Sequence, residues 1–111
     1  VAFQNIIGAK LAQVALTSTV ANLYISPAST QTYIKEFDVC NTTSGALTVY
    51  VYIVPQNGSP SASNAIMYNT SIPAYSIVQW TGSQIMNPGD SIQATGSASG
   101  LTITISGGQA T

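Results

Sequence analysis

The segment Gly100–Gly107, GLTITISG, decides the fold class. Leu101, Ile103 and Ile105 alternate with Thr102, Thr104 and Ser106 without a break. A period of two belongs to a β-strand that turns one face to a core and the other to water or a neighbour. The same rule reads outward from there. In DSIQAT, Ile92 and Ala94 alternate with Ser91, Gln93 and Thr95. In SIVQWTG, Val78 and Trp80 share one face, which makes Trp80 a core residue, and Ile77 falls on the other face with Gln79. ALTVYVYIVP sets Leu47, Val49, Val51 and Ile53 against Thr48, Tyr50, Tyr52 and Val54. TYIKEFDVCN sets Tyr33, Phe37 and Val39 opposite Glu36 and Asp38. Weaker strand signals lie at 13–17, 20–26 and 65–70.

Turn-forming clusters separate these runs: SPAST, NTTSGA, PQNGSPSASN, NPGD and TGSASG. Helical periodicity is confined to one short possible turn at Ile6–Leu11. The pattern predicts an all-β fold, an antiparallel β-sandwich of jelly-roll or immunoglobulin-like kind with seven or eight short strands. Residues 1–12, VAFQNIIGAKLA, are apolar without alternation and read as an extended N-terminal arm, leaving residues 13–111 as a single β-sandwich domain.

Charge is the unusual property of this 111-residue chain. Only Lys10, Lys35, Glu36, Asp38 and Asp90 are charged at neutral pH, 5% of residues against about 25% in an average domain. With 45% hydrophobic residues a core is affordable, so the surface must be Ser, Thr, Asn, Gln and Gly with some Tyr. Such a surface lacks the several clustered cations that nucleic acid binding requires and those an anionic membrane attracts. No run of about 18 apolar residues is present to span a bilayer. The opening lacks a signal-peptide pattern, and Val1 as first residue fits loss of an initiator methionine. Cys40 is the single cysteine, which excludes an intrachain disulfide and reads as a small buried apolar residue.

Three features of the sequence could carry chemistry. Gly89-Asp90-Ser91 imitates the nucleophile block of an esterase, but a serine nucleophile needs a base and the chain has no histidine. Pro88 and Gly89 instead predict a type II turn, capped by Asp90, with Ser91 opening a strand as an outward residue. Glu36 and Asp38 alternate along a strand rather than lining a calcium loop. Sequons at Asn41, Asn57 and Asn69 are expected by chance in so Ser- and Thr-rich a chain. No catalytic residue, metal site or cofactor is assigned. Contact residues are: Phe3, Ile6, Ile7 and Leu11 on the arm, and Tyr50 and Tyr52 on the reverse of the aliphatic strand, are interface candidates.

The succession of these elements resembles small β-sandwich proteins of tailed-bacteriophage virions. The matching residues are Leu23, Tyr24 and Pro27 at a strand end; Val39, Cys40 and Asn41 before a hairpin; Ile72 and Pro73 at a turn; Gly89, Asp90 and Ile92 at another; and Gly107 after the closing strand. The resemblance covers roughly residues 11–107 and consists of turn and strand positions. It implies a non-enzymatic virion component, a capsid decoration (cement) protein or a tail or fibre module. With the charge-poor surface and the apolar arm, it leads to the expectation of a cement subunit on the capsid exterior. Its partners would be the major capsid protein or other virion subunits and further copies of itself, with a trimer as the first expectation. The competing expectation is a tail or fibre module that binds host-surface carbohydrate, stacking sugars on Trp80 or the tyrosines.

Overall fold

The computed structural model describes residues 6–111, the side chain of Ile6 excepted. Its strands are β1 (Ile6–Ala15), β2 (Ala21–Ile25), β3 (Gln31–Asn41), β4 (Leu47–Val54), β5 (Ala65–Ile72), β6 (Ile77–Met86), β7 (Ser91–Gly96) and β8 (Leu101–Ala110). A single 3-10 turn, Ala62–Asn64, interrupts the β4–β5 connection. One sheet has the order β1-β8-β3-β6 and the other β2-β7-β4-β5, with every pairing antiparallel. Two four-stranded sheets with the chain passing back and forth between them in this order make a double-sheet jelly roll. Of the two architectures open to the sequence, the immunoglobulin-like one is thereby removed.

The alternation read from the sequence is the alternation that fills the core. Leu101, Ile103 and Ile105 of β8 and Ile34, Phe37 and Val39 of β3 face Val49 and Val51 of β4 and Ile92 and Ala94 of β7 across the sandwich. Burial of each aliphatic side chain contributes roughly 1.5–3 kcal/mol. At both ends of β3 the inward row turns polar. Thr32 shares hydrogen bonds with the hydroxyls of Ser26 (2.9 Å) and Tyr24 (3.0 Å), and Gln109 donates to Tyr24 (2.5 Å). At the other end, buried Asn41 donates to the carbonyls of Gly45 and Ile72 and accepts from the amide and hydroxyl of Thr43. These groups close the two open ends of the sandwich with their polar atoms paired.

The structure corrects the sequence reading in three places. From Ile6 onward the expected arm is strand β1, paired along its length with β8 and carrying Leu11 in the core. Neither a detached arm nor a helical turn exists over these residues, and no boundary falls between 12 and 13. Alternation was masked by a bulge, since Lys10 pairs Ser106 and Ala12 pairs Ile105, leaving Leu11 as an extra residue. A second bulge lies in β3, where Ile34 pairs Gly107 and Glu36 pairs Ser106. The extra residue, Lys35, inverts the parity of everything before it. Tyr33 therefore stands on the outer face with Glu36 and Asp38, not on the core face with Phe37. Cys40, with even parity relative to Asp38, is half-buried on the same outer face rather than in the core.

Both bulges flank Ser106, and the residue beside it explains why they are tolerated. A Cβ on Gly107 would lie 1.8 Å from the carbonyl oxygen of Tyr33, a backbone atom that cannot move aside. Only glycine allows β3 this close at the bulge. Gly107→Ala should therefore lower stability by at least about 2 kcal/mol. Ile103→Asp buries an unpaired charge at a position with no solvent exposure and should abolish folding. Thr104→Asp, on the outer face opposite Asp38, should lose no more than about 1 kcal/mol, from the like charge across the strands. Urea unfolding of the three variants checks the ranking; equal losses at 103 and 104 would show the faces to be assigned wrongly.

Candidate interaction surfaces

Asn87-Pro88-Gly89-Asp90 forms a closed turn: the Asp90 amide donates to the Asn87 carbonyl, and Gly89 has φ +89°. A positive φ at the third position is the type II geometry that the Pro-Gly pair dictates. Asp90 caps it, accepting from the amides of Asn87 (3.0 Å) and Gln56 (3.1 Å). Ser91 follows as the first residue of β7, opposite Val54 and Ile25, with its hydroxyl accepting from Gln93 at 3.1 Å. It is buried, in an outward row that neighbouring side chains cover. Its side-chain hydrogen-bond partner is thus an amide rather than a base.

The outer face of the β2-β7-β4-β5 sheet gathers three tyrosines. Tyr50 and Tyr52 project from β4, and Tyr68 reaches them from β5, edge-on to both: 5.0 Å and 84° from Tyr50, 6.5 Å and 75° from Tyr52. The Tyr50 hydroxyl donates to Asn69. Edge-to-face contact suits the ring quadrupoles, and it converts what the sequence presents as two projecting tyrosines into a packed cluster. Tyr52 is buried, Tyr50 half-buried, and Tyr68 is the exposed member at 55%. Burial, and then the neighbouring phenols of Tyr68 and Tyr50, push the Tyr52 hydroxyl above its ordinary value of 10.0.

The outer face of the β1-β8-β3-β6 sheet can be read row by row from the pairing. Gly8, Gly108, Tyr33 and Ile85 form one row; Lys10, Ser106, Glu36 and Thr81 the next; then Gln13, Thr104, Asp38 and Gln79; and last Ala15, Thr102, Cys40 and Ile77. Every side chain of the two middle rows is polar. Gln79 donates to Glu36, and Lys10 to Gln13 at 3.0 Å. One carboxylate oxygen of Asp38 is buried without a hydrogen-bond partner. A shallow depression opens over the glycines of the first row, lined by Gly8, Tyr33, Lys35, Gly107 and Gly108. Trp80 is half-buried on the opposite, inner face, with its ring stacked on Phe37 at 5.2 Å and 12°.

The interface candidates thus scatter. Phe3 lies outside the described residues, as does the side chain of Ile6. Ile7 is exposed at one end of β1, Leu11 is in the core, and Tyr50 and Tyr52 are on the other sheet beneath Tyr68. Sequence reasoning missed Tyr68, Ile77 and Ile85 as surface apolar residues of β5 and β6. For Ile77 the alternation already carried the signal; Tyr68 was hidden because Asn69, at φ +51°, and irregular pairing break the period of β5. Among the described residues, no group of three or more His, Cys, Asp or Glu side chains is placed to hold a metal ion.

Two outcomes follow from this geometry. The stability contributed by neutral Tyr52 is present below pH about 10 and lost as pH rises through its raised folded-state value. Tyr52→Phe removes that titration, and should shift the alkaline unfolding midpoint upward relative to wild type, as read by urea melts across pH. Ser91 should be inert to a fluorophosphonate probe; labelling at Ser91 would restore the nucleophile reading.

No protein-family model and no curated protein matches the chain. Solved structures share its fold. A chain in the structure of the infectious bursal disease virus Gx strain superposes with a TM-score of 0.53 at 13% identity, over 96% of this chain and 31% of that one. A chain in the crystal structure of the T13 infectious bursal disease virus particle gives 0.51 at 11% identity, over 98% and 31%. This chain therefore spans under a third of the viral chains it matches. Both come from infectious bursal disease virus and not from a tailed bacteriophage. The likeness is one of fold: an eight-stranded jelly roll that chains of a virus particle also use.

Proposed function

We propose that this protein is a non-enzymatic structural subunit of a virus particle. Its finer place is that of a capsid cement or decoration protein of a tailed bacteriophage, held on the shell exterior by contacts with the major capsid protein and with its own copies. The observation that carries this reading is a jelly roll whose surface has almost no charge yet exposes Ile7, Ile25, Ile77, Ile85, Tyr68 and Tyr75. A charge-poor, apolar-studded surface is suited to contact with another protein surface. The fold shared with virus-particle chains supports the same reading, as does the pattern of turns and strand ends in the sequence. The mechanism is apolar burial and backbone pairing across the seams between shell subunits, which resists expansion of the shell.

Binding of this kind is insensitive to salt. The screening length falls from about 10 Å at 0.1 M to about 3 Å at 1 M, and an interface without ion pairs does not respond. Purified protein should co-sediment with particles lacking it equally well at both concentrations, and added free sugars should not compete. Loss of binding at high salt would reject the apolar interface; release by sugar would assign the protein to the tail or fibre class, with the exposed Tyr68 edge as its contact.

A further inference from the structure

Three glycines line the depression on the outer face of the β1-β8-β3-β6 sheet, and packing accounts for Gly107 but not for Gly8. A Cβ on Gly107 would strike the Tyr33 carbonyl, whereas a Cβ on Gly8 would meet only the Gly107 carbonyl oxygen at 3.9 Å, an ordinary contact. The backbone does not ask for glycine at 8 either: its φ is not positive, and its pairing with Gly108 falls in the regular part of the ladder. Glycine weakens a strand, and where neither crowding nor strain requires it, it marks a place where something else approaches the backbone closely.

The space above Gly8 is open and of useful size. Gly8, Gly107, Gly108, Tyr33 and Lys35 enclose about 330 Å³, at the lower end of the roughly 300–1,000 Å³ of small-molecule sites. Lys35 is the extra residue of the β3 bulge and is exposed; bulges re-aim side chains beside sites, and this one brings a cation to the depression. The other charges of this face are engaged elsewhere. Lys10 donates to Gln13, and Glu36 accepts from Gln79 on the β6 side, away from the glycines of β1 and β8.

We propose that this depression binds a small aromatic carboxylate, a single flat ring carrying one acid group. The ring lies over the glycine peptides against Tyr33, and its carboxylate pairs with the Lys35 ammonium. The lining decides against two other classes of ligand. Gly107 and Gly108 belong to a strand flanked on both sides, so their backbone groups are turned to β1 and β3, and the Tyr33 hydroxyl donates to Gln31. The several hydroxyls of a sugar would therefore lose hydration without finding partners. A phosphate calls for several donors around it, and a single lysine supplies one charged centre. This inference stands apart from the virion reading.

The test is titration of the full chain with benzoate at constant ionic strength, followed by amide chemical shifts. Shifts should gather at Gly8, Tyr33, Lys35, Gly107 and Gly108 and saturate with a dissociation constant on the order of 1 mM, as a shallow site allows for so small a ligand. Benzamide, which keeps the ring and loses the charge, should bind about fivefold more weakly, the worth of an exposed ion pair. Lys35→Gln should weaken benzoate by the same factor, leave benzamide unchanged, and be rescued by Lys35→Arg. Acetate, which keeps the charge and loses the ring, should give no saturable shift. Gly8→Val should abolish benzoate binding with a thermal midpoint equal to or above that of wild type, because a β-branched side chain suits a strand and the floor has room for its Cβ. Absence of saturable shifts, equal affinity for benzoate and benzamide, tighter binding of glucuronate, or undiminished binding by folded Gly8→Val would each overturn the proposal.

Discussion

The molecule is organised around the place where β3 passes Gly107 with room for a hydrogen and no more. That close approach fixes the bulge at Lys35, and the bulge fixes which side chains of β3 belong to the core. Without it, the alternation running back from Phe37 would bring Lys35 inside in place of Ile34. One extra residue thus keeps a lysine out of the core and frees Tyr33 for the surface. The matching irregularities beside Ser106 on β1 and opposite Glu36 on β6 lie at the same level. Bulges increase local twist, and the shallow depression lined by Gly8, Tyr33, Lys35, Gly107 and Gly108 lies beside this line.

β3 also shows how so uncharged a chain specifies one structure. Its inward row begins with Thr32, continues through Ile34, Phe37 and Val39, and ends with Asn41. The apolar centre supplies stability without directional preference. The polar ends supply direction, because a strand shifted by two residues would bury Thr32 or Asn41 away from its partners, at a penalty of about 1–3 kcal/mol for each unpaired group. Asn41 is the stricter of the two, with its amide and its carbonyl both engaged. The sequon there therefore has no accessible acceptor.

The fold class was legible because β4, β7 and β8 lie away from the outer edge strands of their sheets and obey a strict period of two. A strand flanked on both sides has its backbone groups satisfied by neighbours, and its side chains sort cleanly by face. The edge strand β1 was not legible: Gly8 and Ala9 carry little hydrophobic contrast, and Leu11 sits in a bulge. The Tyr33 face was misread for the same reason, since a bulge leaves no residue-type signature when the extra residue is lysine rather than glycine. Of the surface, Tyr50 and Tyr52 were visible as an aromatic pair, but their closure by Tyr68 depends on sheet order, which periodicity does not encode. The turn at Asn87–Asp90 was legible, because a Pro-Gly pair dictates the positive φ that Gly89 adopts.

Sheet order also dictates when this domain can exist. β8 lies between β1 and β3, so the last strand of the sandwich is the one that both early strands of that sheet require. While the chain is being synthesised, β1 has no partner and β3 has an open flank, and the core rows contributed by Leu101, Ile103 and Ile105 are missing altogether. Nothing resembling the native sandwich can form until residue 110 has left the ribosome. Pairing β1 with β8, the first and last strands of the sandwich, carries a large loop-closure entropy, and topologies of this kind fold in milliseconds to seconds. Synthesis at about 5–20 residues per second leaves the unprotected strands exposed for comparable or longer times. A scarcity of charge is then a hazard before folding as much as an advantage after it, because little repulsion keeps unfolded copies apart.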